Sequence, residues 1–416
     1  MAERRPSSNL ALARYVIDFI LNKLVGLSEL VRLSAVRNSS SNWESLHEDL
    51  IDSILDKLVS LSDLVSFSAV CKSWNSMALN HYKEKRIQQI NHQLPWLVIQ
   101  PLKKGQERYH SLYDLATSKT WNFQFQIPLL LERKSDYRGS SHGWLFIWDN
   151  TALKMFNPIS GTMFDLPPFI DGGVVCKPER VTLSRDPSAC LRSQPFEVLA
   201  CDSSCGTLGY WKSGDKFWSY LGEGLECFYD FIFYKDRMLG VAHSLLDAGF
   251  LPAHRVVDVM SINIDNTQTP GGDGVRIKIE RIASTRSMHW ICVAAYLVET
   301  TKGDLLMVQR NRHYRTGDRT YRIYKVIIGS NDSAAEITPI TNLDGECIFL
   351  GDNNHSISVL ASNYPACIPN SIYYATSYGN SEGEVEVFNV EGGCFFRTAS
   401  VKLPVTPWVV PSMKLL

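Results

Sequence analysis

From about Asn91 onward the chain is written almost entirely in short β-rich runs separated by Gly, Pro, Asn and Asp turns. Among them are WLVIQ from Trp96, FEVLACD from Phe196, FYDFIFY from Phe228, DLLMVQRN from Asp304, YRIYKVII from Tyr321 and VEVFNV from Val385. Runs of this length, rich in β-branched and aromatic residues and bounded by turn formers, read as strands. Helical spacing is absent, apart from a turn near residues 244 to 250. This feature limits the fold severely. So many strands exceed one ordinary sandwich, and a single open sheet would leave long unpaired edges; a ring of small sheets leaves only short, protected ones. A repeat of about 45 to 55 residues lies in the range of propeller blades.

We count six blades, with five or seven also compatible with the spacing. The first runs from Trp96 through WNFQFQIP. The second, GWLFIWDNTALKMFNPISGTMFDLPP from Gly143, is the clearest unit. The third spans Arg180 to Leu221, the fourth Phe228 to Ile282, the fifth His289 to Ile340 and the last Gly345 to about Val401.

Residues 43 to 90 carry a different periodicity. Leu50, Ile51, Ile54, Leu55 and Leu58 fall at i, i+1, i+4, i+5 and i+8, an apolar stripe on a helix. Ser45 and Glu48 have the spacing of a capping box, and Glu48 and Asp49 put negative charge where the helix dipole favours it. Ser62 is the candidate cap of a second helix with Leu64, Val65, Phe67 and Val70, and Cys71 to Trp74 lead into a third. Three short helices cannot bury this much apolar surface among themselves. They either cap the β region or keep a face for a partner.

The run Leu46, Leu50, Ile54, Leu55, Leu58, Leu64, Val70, Cys71 and Trp74 resembles the F-box, the helical motif that binds the Skp-type adaptor of cullin ubiquitin ligases. The segment VCKSW, Val70 to Trp74, is its most specific part. The resemblance implies that Leu46, His47, Leu50, Ile51, Ile54, Leu55, Leu58, Leu64, Val70, Cys71 and Trp74 form the adaptor-binding set. His47 stands where the family usually has Pro, a residue suited to the first helical position because its missing N–H is not needed there. A second resemblance lies downstream. FNPISGTMFDLPP, Phe156 to Pro168, and CIFLGDNNHSISVLASNYPACIPNSIYYA, Cys347 to Ala375, are similar to segments of plant F-box proteins with a kelch-like C-terminal region. The expected architecture is therefore an N-terminal extension over residues 1–42, a small all-α F-box module over 43–90 and an all-β propeller over 91–416.

The extension holds a partial duplicate. VIDFILNKLVGLSELVRLSAV, Val16 to Val36, aligns without gaps on Leu50 to Val70 at an offset of 34, with 14 of 21 positions identical. Arg37, Asn38 and Ser40 stand where Cys71, Lys72 and Trp74 stand in the second copy. The segment reads as a remnant; a second, weaker adaptor-binding helix pair is the alternative.

With 42 Lys and Arg against 43 Asp and Glu, the net charge of −1 gives no global pull toward nucleic acid or a membrane surface. No run of about 18 apolar residues marks a membrane span, and the N-terminus lacks the apolar core of a secretory signal. The expected location is intracellular, cytoplasmic or nuclear. The ten cysteines are scattered, and only Cys201 and Cys205 lie close, so they read as buried small apolar residues rather than a zinc site. No GxSxG, HExxH or GxxxxGK[ST] motif is present. GGDG at Gly271 to Gly274 reads as a turn. His142, His289 and His355 lie near strand ends and read as structural. Neither a cofactor nor a metal is called for.

One stretch departs from the neutral background. QRNRHYRTGDRTYRIYK, Gln309 to Lys325, interleaves Arg310, Arg312, Arg315, Arg319 and Arg322 with Tyr314, Tyr321 and Tyr324. Such interleaving suits a nucleic-acid surface. The period-2 alternation of YRIYKV favours a hairpin with arginines in solvent. Arg310, Arg312, Arg315 and Arg319 are the candidates for a surface that reads an acidic or phosphorylated protein. Trp144, Trp148, Trp211, Trp218, Trp290 and Trp408 read mostly as core.

What the resemblance implies, taken with the rest, is a non-catalytic substrate receptor of a Skp–cullin–F-box ligase. The F-box would bind the adaptor, and through it the cullin; the propeller would hold a protein substrate of unknown identity. The alternatives are a binding propeller acting without the ligase and a propeller enzyme.

Overall fold

The computed structural model describes residues 48–55, 67–68, 72–89, 94–99, 109–115, 119–126, 136–149, 151–158, 161–187, 195–202, 206–221, 226–244, 256–265, 276–287, 289–329, 334–351, 355–375, 385–397 and 405–410. The chain divides between Ile90 and Asn91 into two compact units. The partial duplicate, the GGDG turn and the segment near 244 to 250 fall outside the described residues, except for the strand end at Ser244.

In the first unit, α1 (Glu48–Leu55) and α2 (Lys72–Gln89) pack together. The 3.6-residue period sorts α1 cleanly: Ile51, Ile54 and Leu55 are buried, while Asp49, Asp52 and Ser53 are exposed. On α2, Trp74 and Ala78 are one turn apart and both buried. The Phe67 ring stacks on the Trp74 indole with centroids 4.4 Å apart and planes 18° apart.

The second unit is a six-bladed β-propeller. Its first blade has β1 (Trp96–Ile99), β2 (Tyr109–Asp114) and β3 (Lys119–Gln126). The second has β4 (Asp136–Ser141), β5 (Trp144–Asp149), β6 (Ala152–Phe156) and β7 (Met163–Pro168). A small hairpin, β8 (Ile170–Asp171) and β9 (Val174–Val175), leads into the third: β10 (Arg180–Leu183), β11 (Glu197–Asp202), β12 (Thr207–Lys212) and β13 (Ser219–Tyr220). The fourth is β14 (Glu226–Tyr234), β15 (Arg237–Ser244), β16 (Val256–Asp265) and β17 (Arg276–Arg286). The fifth is β18 (Trp290–Glu299), β19 (Leu305–His313), β20 (Arg319–Ile328) and β21 (Ala335–Ile340).

The sixth blade breaks the pattern. It holds β22 (Glu346–Gly351), β23 (Ile357–Leu360), β24 (Ser371–Ala375), β25 (Val385–Asn389) and β26 (Cys394–Arg397), in the order β23-β22-β24-β25-β26. β22 therefore runs parallel to β24, with β23 and a 3₁₀ turn at Ala361–Asn363 supplying the crossover that a parallel pair needs. The last strand, β27 (Val405–Val409), pairs antiparallel with β1 and completes the first blade. β27, β4, β10, β14 and β18 pack side by side in succession, then β18 meets β23 and β22 meets β27, which closes the ring.

Packing explains why these strands are apolar on both faces. Among the described residues, buried clusters occur, one between each pair of neighbouring blades. Strand alternation divides each strand between two of them. On β18, Tyr296 and Val298 face blade six, while Ala295 and Leu297 face blade four. On β11, Val198 and Ala200 face blade two, and Leu199 and Cys201 face blade four.

Polar groups cross the same seams. Trp144 Nε1 donates to Asp186 Oδ1 at 2.9 Å, Leu297 N to Asp230 Oδ2 at 2.9 Å and Thr301 N to Glu346 Oε1 at 3.1 Å. Trp408 Nε1 donates to the Leu350 carbonyl at 2.9 Å, tying the closing strand to blade six.

Two strand readings need correction. Blade two begins at β4, seven residues before Gly143; its polar sequence DYRGSS hides a strand. Blade one is completed from the C-terminus by β27, beyond the Val401 limit of the last unit. Within blade six, β23 returns to the inside of β22.

Candidate functional site

The expected adaptor-binding residues divide into two groups. Leu46, His47, Leu58, Leu64, Val70 and Cys71 lie outside the described residues. Leu50 is placed on α1. Ile51, Ile54, Leu55 and Trp74 are buried, so they build the helical unit and do not stand ready as exposed contacts. The exposed side of the described helices carries Asp49, Asp52, Ser53, Lys72, Ser73, Ser76 and Asn80. The apolar spacing that marks a docking stripe also marks an ordinary helix core, and periodicity alone does not separate the two.

On the propeller, the basic stretch folds as the hairpin β19–β20. Antiparallel register sets Trp290 opposite His313, and Arg312 opposite Arg319. The start of β18, the end of β19 and the start of β20 thus meet at one end of blade five. The five arginines have different fates there. Arg310 Nη1 donates to Tyr374 Oη at 2.5 Å and its guanidinium lies 4.4 Å over that ring, joining blades five and six. Arg319 pairs with Glu386 at 2.6 Å and lies 5.0 Å over Phe395, also reaching blade six. Arg322 covers Trp290 at 5.4 Å and donates to Ser287 Oγ at 3.2 Å. Arg310 and Arg319, expected to face a substrate, are thus engaged within the domain. Arg312 and Arg315 are exposed, and neither forms an ion pair among the described residues. Arg315 lies 5.2 Å over Tyr314, itself 39% exposed.

The tryptophans sort as strand packing requires. Trp144, Trp211, Trp218 and Trp408 are buried, and Trp148 and Trp290 are partly buried. Cysteine burial is mixed: Cys176, Cys201, Cys292, Cys347 and Cys367 are buried, whereas Cys394 is exposed. Among the described residues no three His, Cys, Asp or Glu side chains are grouped to hold a metal, and no helix is long and apolar enough to cross a membrane.

A second surface was not singled out in the sequence. Met163, Phe164, Ile170, Val174, Val175 and Phe217 are exposed apolar residues on blades two and three and the hairpin between them. Phe217 is 78% exposed. The signal was present in FDLPPFIDGGVV, where apolar residues crowd around turn formers, but burial on a strand cannot be read from residue type.

Family comparison adds identity to this geometry. A model described as the KIB1-4 beta-propeller matches residues 112–389, more than half of the chain. The chain belongs to the KIB1-4 beta-propeller family. An F-box domain model matches residues 43–86. The family match is to KIB1-4 propellers, and the kelch-like description does not follow from it. A protein of Arabidopsis thaliana described as an F-box protein is 22% identical over 355 residues, covering 77% of this chain and 83% of that protein. This KIB1-4 family chain is thus an F-box propeller protein of the plant type. Among solved structures, an α-L-arabinanase of Penicillium chrysogenum is 10% identical with a TM-score of 0.31, covering 77% of this chain and 86% of that one. The WD40 domain of SCAP from fission yeast is 11% identical with a TM-score of 0.29, covering 75% and 86%. Likeness at this level carries no argument about function.

Proposed function

We propose that this KIB1-4 family protein is the substrate-recognition subunit of a Skp–cullin–F-box ubiquitin ligase. The observation that carries the reading is the union, in one chain, of an F-box match at residues 43–86 with a propeller whose six blade interfaces are satisfied within the ring. With β27 completing blade one from within the chain, the ring closes among the described residues without a strand from a partner, and its remaining sheet edges are short. The helical unit would bind a Skp-type adaptor, and through it a cullin, while a propeller surface holds a protein substrate. The protein performs no chemical step. It raises the effective concentration of substrate lysines near ubiquitin activated elsewhere in the assembly.

The test is capture of a Skp-type adaptor by the full chain. Binding at micromolar protein is the expected result, lost in a Leu50→Glu, Leu58→Glu variant that keeps the propeller's thermal transition. Ile51, Ile54, Leu55 and Trp74 are unsuitable for this test, because altering a buried residue unfolds the unit. Failure of the unaltered chain to bind favours the second reading, a propeller that works without the ligase. His47, at a position usually held by Pro, is the observation behind that reading.

A further inference from the structure

We infer that the turn joining β19 to β20 is a docking site for a phosphorylated side chain of a protein partner. This inference rests on the receptor reading above and gives its substrate a chemical class.

The turn is held in one shape from within. His313 N donates to the Asp318 carbonyl at 2.8 Å, and Gly317 N to the His313 carbonyl at 3.0 Å. Gly317 has φ of 76°, which glycine adopts without steric cost. Tyr314 N donates to the His289 carbonyl at 3.2 Å, anchoring the turn to the segment that leads into β18. His313 Nδ1 accepts from Thr316 N at 3.2 Å, which leaves the ring proton of the neutral imidazole on Nε2. Thr316 Oγ1 donates to Asp318 Oδ2 at 2.5 Å, which fixes the turn's own carboxylate on the hydroxyl, and it forms no ion pair with Arg312 or Arg315 among the described residues.

Against this frame, two guanidinium groups carry charge that no carboxylate among the described residues answers. Arg312 and Arg315 are exposed and form no ion pair there. Arg312 Nη2 lies 3.5 Å from where a Cβ on Gly317 would stand, so this guanidinium is folded over the turn. Arg315 rests on the Tyr314 face. His289 lies parallel to Tyr314, with planes 14° apart, and Trp290 meets His313 edge-on with centroids 5.1 Å apart. The result is a short cationic turn on an aromatic floor.

Guanidinium forks match phosphate oxygens bidentately. A phosphorylated residue brings about −1.5 to −2 charges and three acceptor oxygens, more than a carboxylate offers, so it suits a turn that carries two guanidinium groups without ion pairs. A nucleic-acid backbone needs a track of available cations. Here Arg310 and Arg322 are engaged on Tyr374 and Trp290, and Arg319, though exposed, is paired with Glu386, leaving a spot and not a track.

The test uses the full chain and three fluorescent peptide pools: one with a fixed central phosphoserine, phosphothreonine or phosphotyrosine among random flanks, one with Ser, Thr or Tyr there, and one with Glu. Selective binding of the phosphorylated pool is expected, weakened about tenfold or more by the Arg312→Ala, Arg315→Ala pair. Both residues are exposed and without ion pairs, so the thermal transition should hold. Adaptor capture is measured on the same proteins and should be unchanged. Equal binding of the phosphorylated and Glu pools, no dependence on the two arginines, or equal competition by a single-stranded oligonucleotide overturns the inference. If adaptor capture persists without phosphate selectivity, only this inference falls. If the unaltered chain captures no adaptor, the ligase reading falls, and the peptide result still reports on the turn.

Discussion

Asp230 shows how much one side chain can carry in a ring of blades. Its two carboxylate oxygens accept from Phe231 N and from Leu297 N on the next blade, each at 2.9 Å. Burial pushes its pKa up to about 7, against the opposing pull of Arg180 and of the two backbone donors. Asp230→Ala leaves the Leu297 N–H without its acceptor and should cost about 1–3 kcal/mol in chemical denaturation. A variant as stable as the parent would contradict the role given to this bond. His355 has the opposite sign. Desolvation and the neighbouring His142, whose ring centroid lies 5.3 Å away, hold its pKa down at about 3. A depressed histidine contributes stability that is present above about pH 6.5 and is lost as the pH falls toward 3. His355→Asn should therefore flatten the acid limb of the stability profile, by at most about 1.4 kcal/mol per pH unit. Superimposable profiles would sink that assignment. Neither role was legible in the sequence. FYDFIFY announces a strand, but that its Asp reaches across to another blade follows only from ring closure. For the arginines, the alternating pattern marked the hairpin; which of the five are partnered depends on Tyr374, Glu386 and Trp290, two of them more than 60 residues away.

Strands were readable wherever both faces are buried, because burial on two sides produces near-continuous apolar runs such as β5, β11 and β22. The hairpin at Gln309 to Lys325 was legible for a related reason: YRIYKV alternates, with Tyr321 and Ile323 packed toward blade six and Tyr324 and Val326 toward blade four. What escaped were elements whose identity depends on a distant partner. β4 is polar, and it is a strand because β5 pairs with it. β27 is separated from β1 by three hundred residues of chain, roughly the whole ring, and nothing in VTPWV says which blade it joins. Blade six hides its strand order because parallel and antiparallel neighbours leave similar apolar runs. The importance of β27 can be measured. Trp408 is fully buried, lies edge-on to Phe349 with centroids 5.2 Å apart and bonds the Leu350 carbonyl. Trp408→Ala should cost about 3–5 kcal/mol, and a chain ending before Val405 should be cleaved rapidly by protease within blade one. Protease resistance equal to that of the full chain would contradict closure by β27.

At the scale of the whole molecule, each unit has its own logic. The propeller is stabilised by six interfaces of the same kind, which leaves its outer surface outside the packing, and the exposed apolar residues on blades two and three and the cationic turn on blade five lie there. The helical unit buries Ile51, Leu55, Phe67 and Trp74. The division into an F-box and a propeller was legible from the change of period near Asn91, since 3.6-residue and 2-residue patterns bury different positions. On the proposed receptor reading, the helical unit serves the adaptor and the propeller the substrate. The most direct test is calorimetric titration of a Skp-type adaptor into the full chain, the Leu50→Glu, Leu58→Glu variant and the Arg312→Ala, Arg315→Ala variant. Micromolar or tighter binding to the parent and to the arginine variant is expected, and none to the leucine variant. No binding to the parent, or equal binding to all three, would contradict it.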